Sequence, residues 1–226
     1  MRLSLVILVR NEIAGLQALL HLVPREGIEE ILAIDGKSDD GSAAFLQSQG
    51  VRVVIQDRSG RGYAFSLAFR EATGDALIFF SPDGNEDPAD IAKFRTLLES
   101  GYDMVIGNRM SDGGVNEEDH LRFRWRKWAN LAFGWMANST WNRGPRIRDT
   151  INGFRAITRA SWERMRPDGP GYTIEYQCSI RAMKLGLHVG EFPTKEGQRL
   201  DPRGGSPSIS TGLAFLRTYF RELRRG

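Results

Sequence analysis

A run of five apolar residues, Ala76–Phe80, stops at Ser81-Pro82, and Asp83, Gly84, Asn85, Glu86 and Asp87 follow at once. The run is long enough for a strand buried on both faces and too short for a helix. Proline removes a ladder donor and fixes its own φ, so the strand ends there. Pro88 then stands in the first turn of a helical pattern. Hard oxygen ligands are thus concentrated at the carboxyl end of a buried strand, the edge where open α/β sheets bind ligands. A loop of this kind suits Mg²⁺ or Mn²⁺ held by one or two carboxylates, with substrate phosphates completing the shell. Taken alone, the stretch also reads as an acidic turn that only caps the next helix.

The flanking sequence alternates strand and helix signals. Strands are expected at Leu3–Val9, Ile28–Ile34, Val51–Ile55, Ala76–Phe80 and Met104–Gly107. Helices are expected at Glu12–Val23, Gly41–Gln49, Gly62–Ala72 and Ala89–Glu99. Repeated β-α units predict a parallel sheet with right-handed crossovers and helices on both faces. Each strand end carries polar residues: Asn11-Glu12, Asp35 with Ser38, Asp39 and Asp40, and Gly107-Asn108-Arg109. Ser59-Gly-Arg-Gly62 is a basic glycine loop that enters a helix, a reasonable anion cradle. Singly, each is ordinary turn chemistry; together on one edge they suggest a site. No P-loop and no dinucleotide fingerprint occurs, which argues against those two nucleotide-binding classes.

Length and charge narrow the reading. At 226 residues the chain is one large domain or two small lobes. The opening Leu3–Val9 run is too short to span a membrane and has no cleavage site after it, so it reads as a strand and not a signal peptide. The single cysteine, Cys178, excludes an internal disulfide and points to a reducing, cytoplasmic compartment. Residues 1–108 carry 10 basic and 16 acidic side chains, whereas residues 109–226 carry 21 and 12. Of the 31 basic residues 26 are arginine, the side chain that grips phosphate bidentately. An acidic half that holds a cation, joined to an arginine-rich half, suits a phosphate-bearing substrate or an anionic surface. Nucleic acid is disfavoured, since no helix-turn-helix, zinc or aromatic-platform signature is present.

Five segments carry a family resemblance: LVRNE (8–12), AIDGKSDDGS (33–42), GRGYAFSLAFREATGDALIFFSPDGNEDP (60–88), VIGNRM (105–110) and DTINGFRAITR (149–159). In order and spacing they resemble the motifs of family 2 glycosyltransferases with the GT-A fold. Within that family they are most similar to dolichol- or polyprenol-phosphate sugar synthases, over about residues 3–206. The resemblance implies a Rossmann-like, mostly parallel sheet flanked by helices, with an acceptor-side half after it. One domain is expected, with residues 1–108 holding donor and metal, 109–207 facing the acceptor, and 208–226 an amphipathic helix. It further implies that Val9, Asn11 and Glu12 contact the nucleotide and that Asp35 contacts base or ribose. Gly36 stands where the family has a second aspartate. Arg61 falls near the diphosphate. Ser81-Pro82-Asp83 occupies the place of the metal-binding Asp-x-Asp, so Asp83 carries the metal contact with Asn85 as a further ligand and Ser81 in the place of the first aspartate. Glu86 and Asp87 either compensate or cap the helix.

On the acceptor side, Asp149, Asn152, Gly153 and Arg155 match the family's acceptor loop, with Asn152 replacing a serine. Tyr172 and Glu175 open a helix that runs to Leu185 over the site, and Glu191–Pro193 matches a strand. Arg199 and Ser206 match a loop that closes over phosphates; its lysine is Pro207 here, and Arg203 is the substitute. The spacing of Leu121, Trp125, Trp128, Leu131, Trp135 and Met136 predicts a helix over His120–Asn138. Tryptophans so spaced usually belong to a core, with a lipid groove as the alternative. Ser208–Arg225 is amphipathic, with Ile209, Leu213, Leu216, Phe220 and Leu223 on one face and arginines at its end. Such a helix either lies in a membrane interface or packs on the domain.

The expected activity is metal-assisted, inverting transfer of a sugar from a nucleotide diphosphate to an acceptor, foremost a polyprenyl phosphate. Asp83 would hold the metal, while Arg109, Arg122 and Arg199 would hold the acceptor phosphate in line. For Arg109 a structural salt bridge is the competing reading. A hydroxyl acceptor such as a polysaccharide would instead need a base, with Asp149 the first candidate. A nucleotide-sugar binding protein with weakened catalysis is the remaining alternative, motivated by Ser81 and Gly36.

Overall fold

The computed structural model describes residues 1–200 and 208–225. Seven strands form one sheet in the order β3-β2-β1-β4-β6-β5-β7. They are β1 (Leu3–Val9), β2 (Glu30–Asp35), β3 (Arg52–Ile55), β4 (Ala76–Phe80), β5 (Met104–Asn108), β6 (Arg155–Thr158) and β7 (Val189–Pro193). The helices are α1 (Ile13–Leu19), α2 (Ser42–Ser48), α3 (Arg61–Glu71), α4 (Ile91–Glu99), α5 (Trp125–Trp141), α6 (Arg159–Met165), α7 (Ile174–Lys184) and α8 (Ser208–Arg224).

Strands β1, β4 and β5 are buried at every position, so they read as continuous apolar runs. Alternate residues feed two cores. Leu3, Leu5, Ile7 and Val9 pack with α1, α2 and α4 on one face. Val6 and Leu8 pack with α3, α5, α7 and α8 on the other. There Phe79 of β4 stacks on Phe65 of α3 with ring centroids 3.8 Å apart.

The sheet is mostly parallel, as expected, but β6 runs antiparallel to both β4 and β5. Only four residues long and placed after a loop, it carries no alternating pattern of its own, and the sequence reading passed over it and α6. Its reversal matters for the site. Arg155, its first residue, pairs with Phe79 and Ile106. The segment leading into β6 therefore arrives at the carboxyl ends of the parallel strands, beside the Ser81–Asn85 loop.

Two helices differ from expectation at their ends. The helix read over Glu12–Val23 is α1 followed by a 3₁₀ turn at Leu20–Leu22. The one read over His120–Asn138 starts at Trp125, because the Glu118 carboxylate accepts the Lys127 N–H at 3.1 Å and occupies an N-terminal donor of α5. Its tryptophans were expected in a core. Instead Trp125, Trp128 and Trp135 are exposed, and α5 buries Phe133, Gly134 and Ala137. Helix α8 packs one face inward, with Phe215, Thr218 and Glu222 buried, and leaves Leu213, Phe220 and Leu223 exposed. No helix among the described residues is long and apolar enough to cross a membrane.

Candidate active site

The strand-end loops enclose a cleft of about 780 Å³. Val9, Asn11, Glu12, Arg61, Ser81, Asp83, Tyr172 and Arg199 all line it. The loop after β1 is stitched to the loop after β2 by side chains that bind backbone. Asn11 N–H donates to Ser38 Oγ at 2.9 Å, and Asn11 Oδ1 accepts from Asp39 N–H at 3.0 Å. Glu12 N–H donates to Ser42 Oγ, and Ile13 N–H to the Asp40 carboxylate. Asn11 itself has φ +57°, a conformation that asparagine tolerates better than most residues. Burial works against ionisation of Asp40, but its bonds from Ser42 and Ile13 outweigh that and hold the carboxyl below its ordinary value.

Two residues expected here stand back from the cleft. Asp35 is buried and its carboxylate accepts from the Ser38 N–H and hydroxyl, so it shapes the β2 loop and lines no wall. Pro82 packs its carbonyl against Gly15 of α1, where any Cβ would collide. Gln56 was missed. It directly follows β3, lines the cleft, and donates to the Gly60 carbonyl at 3.1 Å. The strand-end rule that selected the other loops points to it equally.

A second cavity, about 260 Å³, adjoins the first and shares Arg61, Ser81, Asp83, Tyr172 and Arg199 with it. Its walls include Arg109, Asn152, Gly153 and Glu175, the α5 residues Trp125, Arg126 and Phe133, and Thr211 and Phe215 of α8. Here the charged groups hold one another. The Arg109 guanidinium forms a fork on Asp149 (2.8 and 3.0 Å) and reaches Glu196 at 2.8 Å. Burial would raise the Asp149 pKa, yet the Arg109 charge overrides it and the carboxyl stays low. Arg61 is ion-paired with Glu175 and lies 3.4 Å from Ser81 Oγ. Glu86 accepts the Ser81 N–H at 2.7 Å; burial and the Asp83 charge push its carboxyl well above the ordinary range. Asp87 caps the turn that starts at Pro88.

Asp83 and Asn85 lie at the junction. Asp83 Oδ2 is 2.8 Å from Arg199 Nη2, and its Oδ1 accepts the Asn85 N–H at 3.1 Å. Asn85 Nδ2 donates to Glu117 and to the Gly197 carbonyl, while its buried Oδ1 has no hydrogen-bond partner among the described residues. A partnerless buried amide oxygen two residues from a carboxylate fits a divalent cation. Among the described residues there is no cluster of three His, Cys, Asp or Glu side chains that could hold a metal ion, so a cation at Asp83 and Asn85 would keep coordination positions open.

Asp149, expected to face the acceptor, is buried under Arg109 and lines neither cavity, and three further acceptor-side expectations need correction or lie elsewhere. Arg155 is 0% exposed and spends its guanidinium on the carbonyls of Asn152, Thr150 and Glu175 and on Ser179 Oγ. It builds the loop and cannot touch an acceptor. Arg122 is exposed ahead of α5 and lines neither cavity; with the helix starting at Trp125, Arg126 takes the wall position instead. Ser206, with Arg203 and Pro207, lies outside the described residues. Asn152 braces its loop, donating to the Gly107 carbonyl at 2.6 Å. Glu117, Glu196 and Arg126 were missed, and no motif marks them: Glu196 meets Arg109 across 87 residues and Glu117 meets Asn85 across 32, while Arg126 pairs locally with Glu117.

Known proteins resemble this chain in sequence and in fold. Residues 4–165 match the model of the family described as glycosyl transferase family 2. Glycosyltransferase AglJ of Haloferax volcanii is 31% identical over 203 residues, covering 87% of this chain and 64% of that protein. The chain thus spans less than two thirds of that relative. The dolichyl-phosphate hexose transferase of the same organism is 26% identical over 231 residues, covering 99% of this chain and 96% of its own length. Glucosyl-3-phosphoglycerate synthase from Mycobacterium tuberculosis, solved with Mn²⁺, uridine diphosphate and glucosyl-3-phosphoglycerate, has the same fold. The TM-score is 0.74 at 18% identity, with 99% of this chain and 79% of that one covered. The family match and the shared fold converge on one assignment: this chain belongs to glycosyl transferase family 2 and has the GT-A fold.

Proposed function

We propose that the chain transfers a sugar from a nucleoside-diphosphate donor to the phosphate of a polyprenyl chain, with inversion at the anomeric carbon. One observation carries this reading: a polar cleft at the strand ends and an arginine-bearing, aromatic-walled cavity meet at Arg61, Ser81, Asp83, Tyr172 and Arg199. A donor in the first and an acceptor in the second would bring their reacting atoms together there.

In this reading the loops at 9–13 and 36–40, with Gln56, hold the nucleoside. Asp83 and the free Asn85 Oδ1 hold Mg²⁺ or Mn²⁺. When bound, the cation offsets the charge that builds on the departing diphosphate. Arg199, 2.8 Å from Asp83, gives up that carboxylate and turns to a phosphate oxygen. Arg61 stays beside Ser81, aimed by Glu175. Arg109 is buried and forked between Asp149 and Glu196, so it sets the local charge, and acceptor binding falls to the more exposed Arg126, now paired with Glu117, and Arg199, now paired with Asp83.

The same geometry weighs against a hydroxyl acceptor. Asp149, the expected base, is buried, ionised and forked to Arg109, and it lines neither cavity. A phosphate acceptor needs no base, since its oxygen is already ionised near neutral pH. The relative named dolichyl-phosphate hexose transferase supports the same choice. The test is transfer of labelled sugar from UDP- and GDP-sugars to a short-chain prenyl phosphate with Mn²⁺. A lipid-phase sugar phosphate is expected. Label that passes only to a polysaccharide hydroxyl, or only binds without turnover, overturns the proposal.

A further inference from the structure

Two neighbouring helices present large apolar side chains to the outside. Helix α5 and the turn before it expose Phe123 (71%), Trp125, Trp128 and Trp135 (61%). Helix α8 exposes Leu213, Leu216, Phe220 and Leu223, at the i, i+3, i+7 and i+10 positions of one stripe. The helices are joined through their inner faces, by the Phe133–Phe215 ring contact at 5.4 Å and the Thr140–Tyr219 hydroxyl bond at 2.7 Å. Among the described residues nothing covers either outer stripe. A monomer seldom exposes that much contiguous apolar surface without a partner.

We infer that the outer faces of α5 and α8 together lie on an anionic lipid bilayer and open the acceptor-side cavity toward it. Three observations select the occupant. The exposed large apolar side chains of α5 and the turn before it are mostly aromatic, Phe123, Trp125, Trp128 and Trp135 beside Leu121 and Leu131, and amphipathic aromatic rings favour the headgroup boundary. Arg122, Arg217 and Arg224 border the stripes and form no ion pair among the described residues, in contrast to Arg124 and Lys127, which are held by Asp119. In a two-fold dimer through this face those unpaired charges would confront their own copies. A layer of anionic headgroups neutralises them. Third, the cavity wall is built from both helices, by Trp125, Arg126 and Phe133 of α5 and Thr211 and Phe215 of α8. A lipid phosphate entering between them meets Arg126 first and Arg199 at the junction.

The link to catalysis rests on the polyprenyl phosphate reading; the docking surface does not. The test measures co-sedimentation and tryptophan emission of the whole chain with vesicles of phosphatidylcholine alone or mixed with phosphatidylglycerol. Binding to the mixed vesicles with a blue shift is expected, weakening as salt rises. The Trp128→Ser/Trp135→Ser variant should partition at least about tenfold less, from the aromatic area it loses. Arg217→Gln and Arg224→Gln should each cost about fivefold on anionic vesicles and little on neutral ones. None of these residues lines the donor cleft, so nucleotide-induced thermal shifts should stay unchanged. The inference is overturned by wild-type protein that ignores the mixed vesicles. It is equally overturned by variants that bind as well as wild type, or by a concentration-dependent dimer that the tryptophan variant abolishes. Transfer to a short-chain prenyl phosphate in detergent separates the two proposals. If it persists when docking fails, only the docking falls; if it is absent while vesicles are bound, only the acceptor assignment falls.

Discussion

On the side of the sheet edge proposed to hold the donor, polar groups are held by backbone; on the side proposed to hold the acceptor they are held by each other. Asp40, Ser38 and Ser42 grip main-chain N–H groups of the adjacent loop, a pairing that follows from β1 lying beside β2. Arg109, Asp149 and Glu196 form a buried charge network whose members are 40 and 87 residues apart, and Arg61 reaches Glu175 across 114. Backbone-held groups can lose a side chain and keep their frame. A buried ion network cannot, since deletion of one partner strands another charge. The donor side is therefore the part that tolerates chemical exchange of ligands, and the acceptor side is the part where function and stability are fused.

Four changes would break or sharpen this contrast, taken from the largest effect down. Asp149→Ala should cost about 3–5 kcal/mol of folding stability by leaving Arg109 half-paired in a buried place, read by urea unfolding. A loss under about 1 kcal/mol would put the network on a par with surface ion pairs and erase the distinction. Asp83→Ala should lower sugar transfer about 10²–10³-fold and remove the Mn²⁺-dependent part of the donor thermal shift. Its stability should fall by only about 1 kcal/mol, because the loop frame survives. Gly197→Ala comes next. A Cβ there would collide with the Gly84 carbonyl oxygen, where the 197–200 segment crosses the 83–85 loop. The expected cost is about 1–3 kcal/mol, with weaker Mn²⁺ binding as the segment lifts off.

The smallest effect is a pH dependence. Asp168 is held well below its ordinary value of 3.8, first by the Arg225 hydrogen bond and also by Gln177 and Arg181. A depressed carboxyl stabilises the fold above its unfolded pKa and loses that contribution as pH falls through the folded one. Stability should thus drop below about pH 4 by less than about 1 kcal/mol, as Asp168 is half exposed. Asp168→Asn should flatten that limb of a stability–pH curve; an unchanged limb would detach α8 from this contact.

The contrast also explains what could be read without coordinates. The strand-end loops at 9–12, 35–40, 59–62 and 81–85 were legible because short apolar runs mark where strands stop, and parallel strands stop at one edge. Helix α3 was placed to within one residue by its apolar spacing. The roles of Arg109, Arg122 and Arg155 were not legible in the same way. A motif shows that an arginine is present, whereas its partner is fixed by tertiary packing: Glu196 for one, bulk solvent for another, four buried oxygens for the third. The exposed tryptophans were misjudged for a related reason. Helical periodicity shows that a face is apolar and is silent about what covers it.

Strand β6 carries a further consequence for how this chain can be made or divided. It sits between β4 and β5, so two strands from the first 108 residues meet only through a strand that ends at Thr158. Cutting the chain after Asn108 would leave β4 and β5 each with an open edge at the centre of the sheet, the arrangement most prone to pair with foreign strands. On the ribosome the same gap persists until residue 158 has emerged. The donor cleft, for all its local stitching, is therefore expected to mature late, and a nascent chain stalled before that point should bind chaperones and not nucleotide.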